Sequence, residues 1–253
     1  LHQNKWTGQK ILAGGKVYAV SATGYAPKGD IKPREENEAL GYTLRVGVYS
    51  NVARVRGKQV EGDPTEVSLL ISGKKGGYDA DKLFAKNRRL YAIPFQSEYQ
   101  YTASLHADKI IYVRGSTEAV LSRCTKQMDA NGRISELNRS TVVKEMERLG
   151  HQGLRVICFA ILPNFRGREL DHKDIKHLVV VGLQAMIDPP RPEVIGAIAA
   201  CHRAGIAVKM ITGDHMVTAT AIAKQLNLNG DAPNESISSL NGSKIARMTD
   251  RQL

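Results

Sequence analysis

The stretch LVVVGLQAMIDPPRP, residues 178–192, divides this chain. Leu178–Ile187 is a strand-length apolar run interrupted by Gly182 and Gln184. At Asp188 the pattern breaks, because Pro189, Pro190 and Pro192 place three prolines in four residues. Such a run cannot continue a strand ladder and makes a stiff connector. Pro192 then suits the first turn of a helix.

Upstream of the connector, strand-like runs alternate with helical ones in an order that predicts an α+β domain. The strand candidates are Lys16–Ala22, Tyr101–Leu105, Lys109–Val113, Leu154–Ile161 and Leu178–Ile187, rich in Val, Ile and Tyr. The helix candidates are Glu36–Ala53, Thr65–Ser72, Thr117–Cys124 and Ser140–Leu149. In the first of them Leu40, Leu44, Val48 and Val52 recur at helical spacing. Asn131-Gly132 signals a tight turn, and Tyr25–Pro33 reads as a surface loop. Downstream, the spacing predicts a helix over Glu193–Ala204, a short apolar strand at Ile206–Ile211 and a helix over Met216–Leu226. This is a piece of a doubly wound α/β unit, too small to complete a sheet.

Composition narrows the class. The 253 residues carry 36 Lys+Arg against 25 Asp+Glu, a formal charge of +11. The basic residues are scattered and aromatics make up only 6% of the chain, so a basic stripe interleaved with stacking rings is missing and nucleic acid is not the expected partner. No apolar run approaches the ~18 residues that span a bilayer. Cys124, Cys158 and Cys201 sit among apolar neighbours with no CxxC pair, which favours reduced core thiols over metal or redox chemistry. Leu1–Lys10 has no apolar leader and no initiator Met, so the chain is expected to be a piece of a longer protein.

The residues that could carry chemistry each have a plainer role as well. Thr212-Gly213-Asp214 lies between the predicted strand and helix, where a hydroxyl and helix N-terminal N–H groups can hold a phosphoryl group, or where Asp214 caps the helix. Phe95, behind Pro94, can stack on a flat base or pack in a core. Glu66 follows Asp-Pro-Thr at a helix start, where it complements the dipole or accepts a hydrogen bond from a ligand. Arg114-Gly115 places a cation and bare backbone at a strand end, open to a phosphate. Arg155 can reach a phosphate or pair with a carboxylate.

Together these segments resemble the P-type cation-transporting ATPases. Asp188-Pro189-Pro190-Arg191 is similar to the DPPR hinge, and Thr212-Gly213-Asp214 to the TGD of the phosphorylation domain. Gly62–Glu66 resembles the GxPTE segment, Ile93-Pro94-Phe95 the adenine-stacking segment, Val113–Glu118 the KGAPE loop and Gly153–Val156 the GLR strand. Leu1–Lys5 resembles the residues after DKTGT. The blocks occur in family order, and a calcium-pump-like P2 member is the subgroup they resemble.

The resemblance implies three domain segments. Residues 1–7 end a first phosphorylation-domain segment, 8–187 form an α+β nucleotide-binding domain with an antiparallel sheet flanked by helices, and 188–253 form part of a haloacid dehalogenase-like phosphorylation domain. It implies ATP as ligand, with Glu66, Phe95, Arg114, Gly115 and Arg155 around the nucleotide and Thr212, Gly213 and Asp214 near the phosphate. It also implies Mg²⁺, a transported cation such as Ca²⁺, actuator and membrane domains as intramolecular partners, and a cytoplasmic location on an integral membrane protein.

Two positions depart from the family pattern. Arg114 stands where Lys is usual, and Gln100 stands where another Lys is common, which implies weaker nucleotide affinity. No DKTG occurs in the chain, so the phosphorylated Asp is expected just before Leu1 and no catalytic residue or metal ligand within it. The alternatives are a stand-alone nucleotide-binding regulatory module and a haloacid dehalogenase-type phosphatase. The latter needs a DxD or DxT nucleophile on its first strand, and none precedes a suitable helix here.

Overall fold

The computed structural model describes residues 7–21, 29–56, 59–188, 191–212, 216–229, 237–245 and 247–249. Its elements run β1 (Thr7–Ala13), β2 (Lys16–Val20), β3 (Ile31–Lys32), α1 (Glu38–Tyr49), β4 (Arg54–Arg56), β5 (Gln59–Glu61), α2 (Pro64–Lys75) and α3 (Ala80–Lys86). They continue with β6 (Arg89–Ile93), β7 (Tyr101–His106), β8 (Ile111–Ser116), α4 (Thr117–Leu121), β9 (Cys124–Met128), β10 (Ile134–Glu136) and α5 (Arg139–Gly150). β11 (Arg155–Leu162), β12 (Leu178–Ile187), α6 (Pro192–Arg203), α7 (Met216–Gln225) and α8 (Gly242–Ile245) complete the set.

The main sheet is ordered β3-β2-β1-β12-β11-β8-β7-β6, and all pairs along that path are antiparallel. β12 is its centre. Its second half pairs with β1, while Leu178–Val180 pair in parallel with β9 along the same edge. Nine of its ten residues are buried, because helices cover both faces of the sheet. On one face Ile11, Tyr18, Tyr112, Phe159 and Val181 meet Leu44 and Val46 of α1 and Leu69 of α2. On the other, Tyr101, Leu105, Val113, Cys158 and Leu183 meet Val120 of α4 and the Val142–Met146 face of α5. The alternating sequence of β7 therefore buries both of its sides.

The connector residues Pro189 and Pro190 lie outside the described residues. Beyond them α6 and α7 share a small cluster of Ile198, Ile222 and Leu226. The strand expected at Ile206–Ile211 does not form among the described residues, where this segment lies outside any sheet. An edge of a parallel sheet needs a neighbour to satisfy its N–H and C=O groups, and among the described residues no strand adjoins this segment. Ile206 and Ile211 are accordingly 56% and 97% exposed. In a monomeric sample, amide exchange is expected to be slow across Leu154–Ile161 and fast across Ile206–Ile211. Equal protection of both segments would contradict this division of the chain.

Candidate nucleotide site

The strand registers place Gly115 and Arg155 at one end of the sheet. Tyr101 lies opposite Gly115, Gly115 opposite Cys158, Arg155 opposite Met186 and Ile187 opposite Thr7. The first strand of the sheet begins at Thr7 and the last ends at Ile187, so this end is also the connector end. Phe95 follows Ile93 at the same end of β6.

Glu66 owes its place to the residues before it. Gly62 holds φ at +122°, and a Cβ there would fall 2.6 Å from the Cβ of Ala53. Asp63 caps α2 by accepting the N–H groups of Thr65 (2.8 Å) and Glu66 (3.4 Å), and Pro64 begins the helix. The Asn51 side chain donates to the Glu66 carbonyl at 2.7 Å. The Glu66 carboxylate is half-buried and accepts from the Arg114 guanidinium through Oε1. Arg114 Nε donates to the Ser50 carbonyl at 3.3 Å, and only 8% of the Arg114 side chain is exposed. Burial lowers the pKa of Arg114 from the ordinary arginine value, and the Glu66 charge opposes that shift. Arg89 stands close enough to feel Glu66, and its Nη2 is spent on the carbonyls of Tyr49 (2.7 Å) and Asn51 (2.5 Å).

Phe95 is 57% exposed, so core packing does not account for it. Its loop is tied down at the far end. Gln96 accepts the N–H of Gln100 at 2.8 Å, and Gln100 takes a left-handed φ of +56°. The Gln100 carbonyl then accepts the N–H of Ser116 at 3.0 Å, and Ser116 Oγ donates to Gln100 Oε1 at 3.1 Å. That carbonyl lies 2.3 Å from where a Cβ of Gly115 would be. Gly115 thus lets the Phe95 loop close onto the end of β8.

Arg155 is exposed at the start of β11, after Gly153 turns the chain with φ +75°. Thr212 is exposed and belongs to the downstream segment; Gly213 and Asp214 lie outside the described residues. Asp188 is half-buried and Arg191 exposed at the N-cap of α6. Asn51, Ser50, Arg89 and Gln100 complete the surroundings of Glu66 and Gly115, and sequence reasoning gave none of the first three a role. Among the described residues no group of three His, Cys, Asp or Glu side chains converges as metal ligands, and no helix is long and apolar enough to cross a membrane.

Two cavities elsewhere on the protein leave out Phe95, Glu66 and Arg114. One of about 550 Å³ is lined by Asn51, Lys74, Asp79, Phe84 and Arg89. The other, about 740 Å³, is lined by Asp30, Glu35, Lys75 and Tyr78.

Residues 42–193 match the family described as P-type ATPase, cytoplasmic domain N. The chain is 42% identical to the cation-transporting ATPase pma1 of Synechocystis sp., over 90% of this chain and 27% of that protein. It is 38% identical to the probable cation-transporting ATPase F of Mycobacterium tuberculosis, over 100% of this chain and 30% of that protein. It is 34% identical to a calcium-transporting ATPase of Bacillus subtilis, over 89% of this chain and 27% of that protein. The chain thus spans 27–30% of the length of these curated relatives. With the antiparallel sheet, its two helical layers and the match over residues 42–193, the chain belongs to the P-type ATPases and contains their cytoplasmic domain N.

Proposed function

We propose that this chain is the ATP-binding cytoplasmic region of a membrane-embedded P-type ATPase, which couples ATP hydrolysis through an aspartyl-phosphate to cation transport. This reading is supported by the exposed Phe95 ring just beyond β6, by Gly115 at the same end of the sheet and by the Glu66 carboxylate held by its neighbour Arg114. An exposed ring offers a face for adenine, and a carboxylate with a free oxygen can accept from its amino group. The exposed Arg155 at the same sheet end offers a cation to the phosphate chain, which would run toward the connector and Thr212-Gly213-Asp214.

In this reading the aspartyl nucleophile and the membrane helices come from outside these 253 residues. The Mg²⁺ of the parent reaction has no converged ligand set among the described residues, and the role proposed for this chain is to bind and orient the nucleotide. Ca²⁺ is the proposed cargo of the whole pump on the strength of the calcium-transporting relatives.

The test is calorimetric titration of the isolated chain with ATP, followed by incubation with γ-labelled ATP and acid quenching. Saturable binding without an acid-stable phosphoenzyme is expected. A hydroxylamine-sensitive phosphorylated Asp within the chain, or no binding at millimolar ATP, would contradict the proposal.

A further inference from the structure

We propose that Arg114 is a positioning residue for base selection: by holding the Glu66 carboxylate in one orientation, it makes the site accept a 6-aminopurine nucleotide and reject a 6-oxopurine one. This rests on the proposed nucleotide site and assigns a division of labour within it.

Arg114 is a poor phosphate ligand as it stands. Its guanidinium is buried under the sheet face, with Nε committed to Ser50 and Nη2 to Glu66. It therefore acts on a ligand through the residue it grips. Glu66 is fixed twice over. Its backbone is held by Asn51 at the carbonyl and by Asp63 at the N–H, and its side chain is held by Arg114 at Oε1. Oε2 takes no hydrogen bond among the described residues, and the side chain stays 16% exposed.

A carboxylate gripped in this way presents an acceptor and no donor. The amino group at C6 of adenine donates to it. With the base seated as adenine would be, the C6 oxygen of hypoxanthine or guanine would meet it lone pair to lone pair, and their N1–H reaches the carboxylate only if the base shifts in its plane. An ungripped Glu66 could swing out to water, or take a proton and donate to the oxo base, and the discrimination would be lost. Arg matters here because its planar fork fixes orientation, whereas a lysine ammonium is a point donor on a flexible stem.

The experiment measures Kd for ATP and for ITP, which differ in the C6 substituent and in the N1 proton that goes with it, on the wild-type chain and on Glu66→Gln, Arg114→Lys and Arg114→Met. Thermal melting of each variant is recorded alongside. Wild type is expected to prefer ATP by about tenfold or more. Glu66→Gln carries an amide that can donate or accept, and its preference is expected to fall to about threefold or less. Arg114→Met is expected to lose the preference similarly, with Arg114→Lys intermediate.

Should Arg114→Met fail to fold, the paired variant Glu66→Gln/Arg114→Gln removes both buried charges together and is expected to show the same lost preference. A purely structural ion pair would lower the melting temperature and leave the ATP-to-ITP ratio at its wild-type value in every folded variant. That result overturns the proposal while leaving ATP binding at the site intact. Failure of wild type to bind either nucleotide overturns the site and this inference with it.

Discussion

Phe95→Ala is expected to raise the Kd for ATP by about 5- to 150-fold, because stacking of a base on an aromatic side chain is worth ~1–3 kcal/mol by alanine substitution. The same change is expected to leave thermal stability almost untouched. Phe95 is more than half exposed, and surface substitutions away from caps and cores usually fall within ~0.5 kcal/mol. The separation of the two effects is the informative part. An aromatic core residue of this size would cost ~3–5 kcal/mol on truncation to alanine and would drag binding down with folding. Calorimetric titration and a thermal melt on one preparation read both quantities. Unchanged ATP affinity, or a loss of affinity that tracks a loss of stability, would remove Phe95 from the site.

Gly115→Ala is the substitution expected to damage the fold most. The new Cβ would stand 2.3 Å from the Gln100 carbonyl oxygen and 2.7 Å from the Tyr101 Cα. Both are backbone atoms, one in the turn before β7 and one at its first residue, so no side-chain rotation relieves the overlap. Either β7 and β8 separate at this end or the left-handed Gln100 turn reopens, and the Ser116 N–H loses its partner in both cases. A cost of about 3 kcal/mol is expected, in the range of overpacking and strain at a tight backbone contact. At ~2–4 °C per kcal/mol for a domain of this size, the melting temperature should fall by about 6–12 °C.

Gly150→Ala is the control. It sits at the last position of α5 with nothing within 4 Å of its new Cβ, and is expected to be neutral or slightly stabilising. A Gly115→Ala variant that melts with this control would show that the Phe95 loop does not close onto β8 as described.

Sequence patterns found elements wherever local chemistry decided them. β12 matches its expected span of Leu178–Ile187, and α2 follows the start signal of Gly62–Glu66, with a turn, a cap and a proline in order. The strand expected at Tyr101–Leu105 is β7, and Asn131-Gly132 marked the turn between β9 and β10. α1 is shorter than the expected Glu36–Ala53, because Asn37 caps it at one end and Asn51 is drawn away to the Glu66 carbonyl at the other.

Elements whose signal was tertiary escaped. β1, with Gln9 and Lys10 in its middle, gains strand character from pairing with β12 and β2. β6 is an edge strand whose Leu90 and Tyr91 remain exposed. The opposite error, a strand at Ile206–Ile211, came from an apolar run that has no strand to pair with among the described residues.

The site divides in the same way. The positions of Phe95, Glu66 and Gly115 in the chain were visible as local motifs, while the ion pair between Arg114 and Glu66 joins residues 48 apart and left no local trace. Arg89 and Asn51 are tied to this pair only by folding.

The central claim is that adenine nucleotide binds at the connector end of the sheet, against Phe95 and Glu66. Backbone amide chemical shifts followed by NMR during an ATP titration test it most directly. The account predicts shifts concentrated at Asp63–Glu66, Ile93–Gln100 and Arg114–Ser116. Shifts centred instead on Asn51, Lys74 and Phe84, or on Asp30, Lys75 and Tyr78, would place the nucleotide in one of the two other cavities and contradict the account.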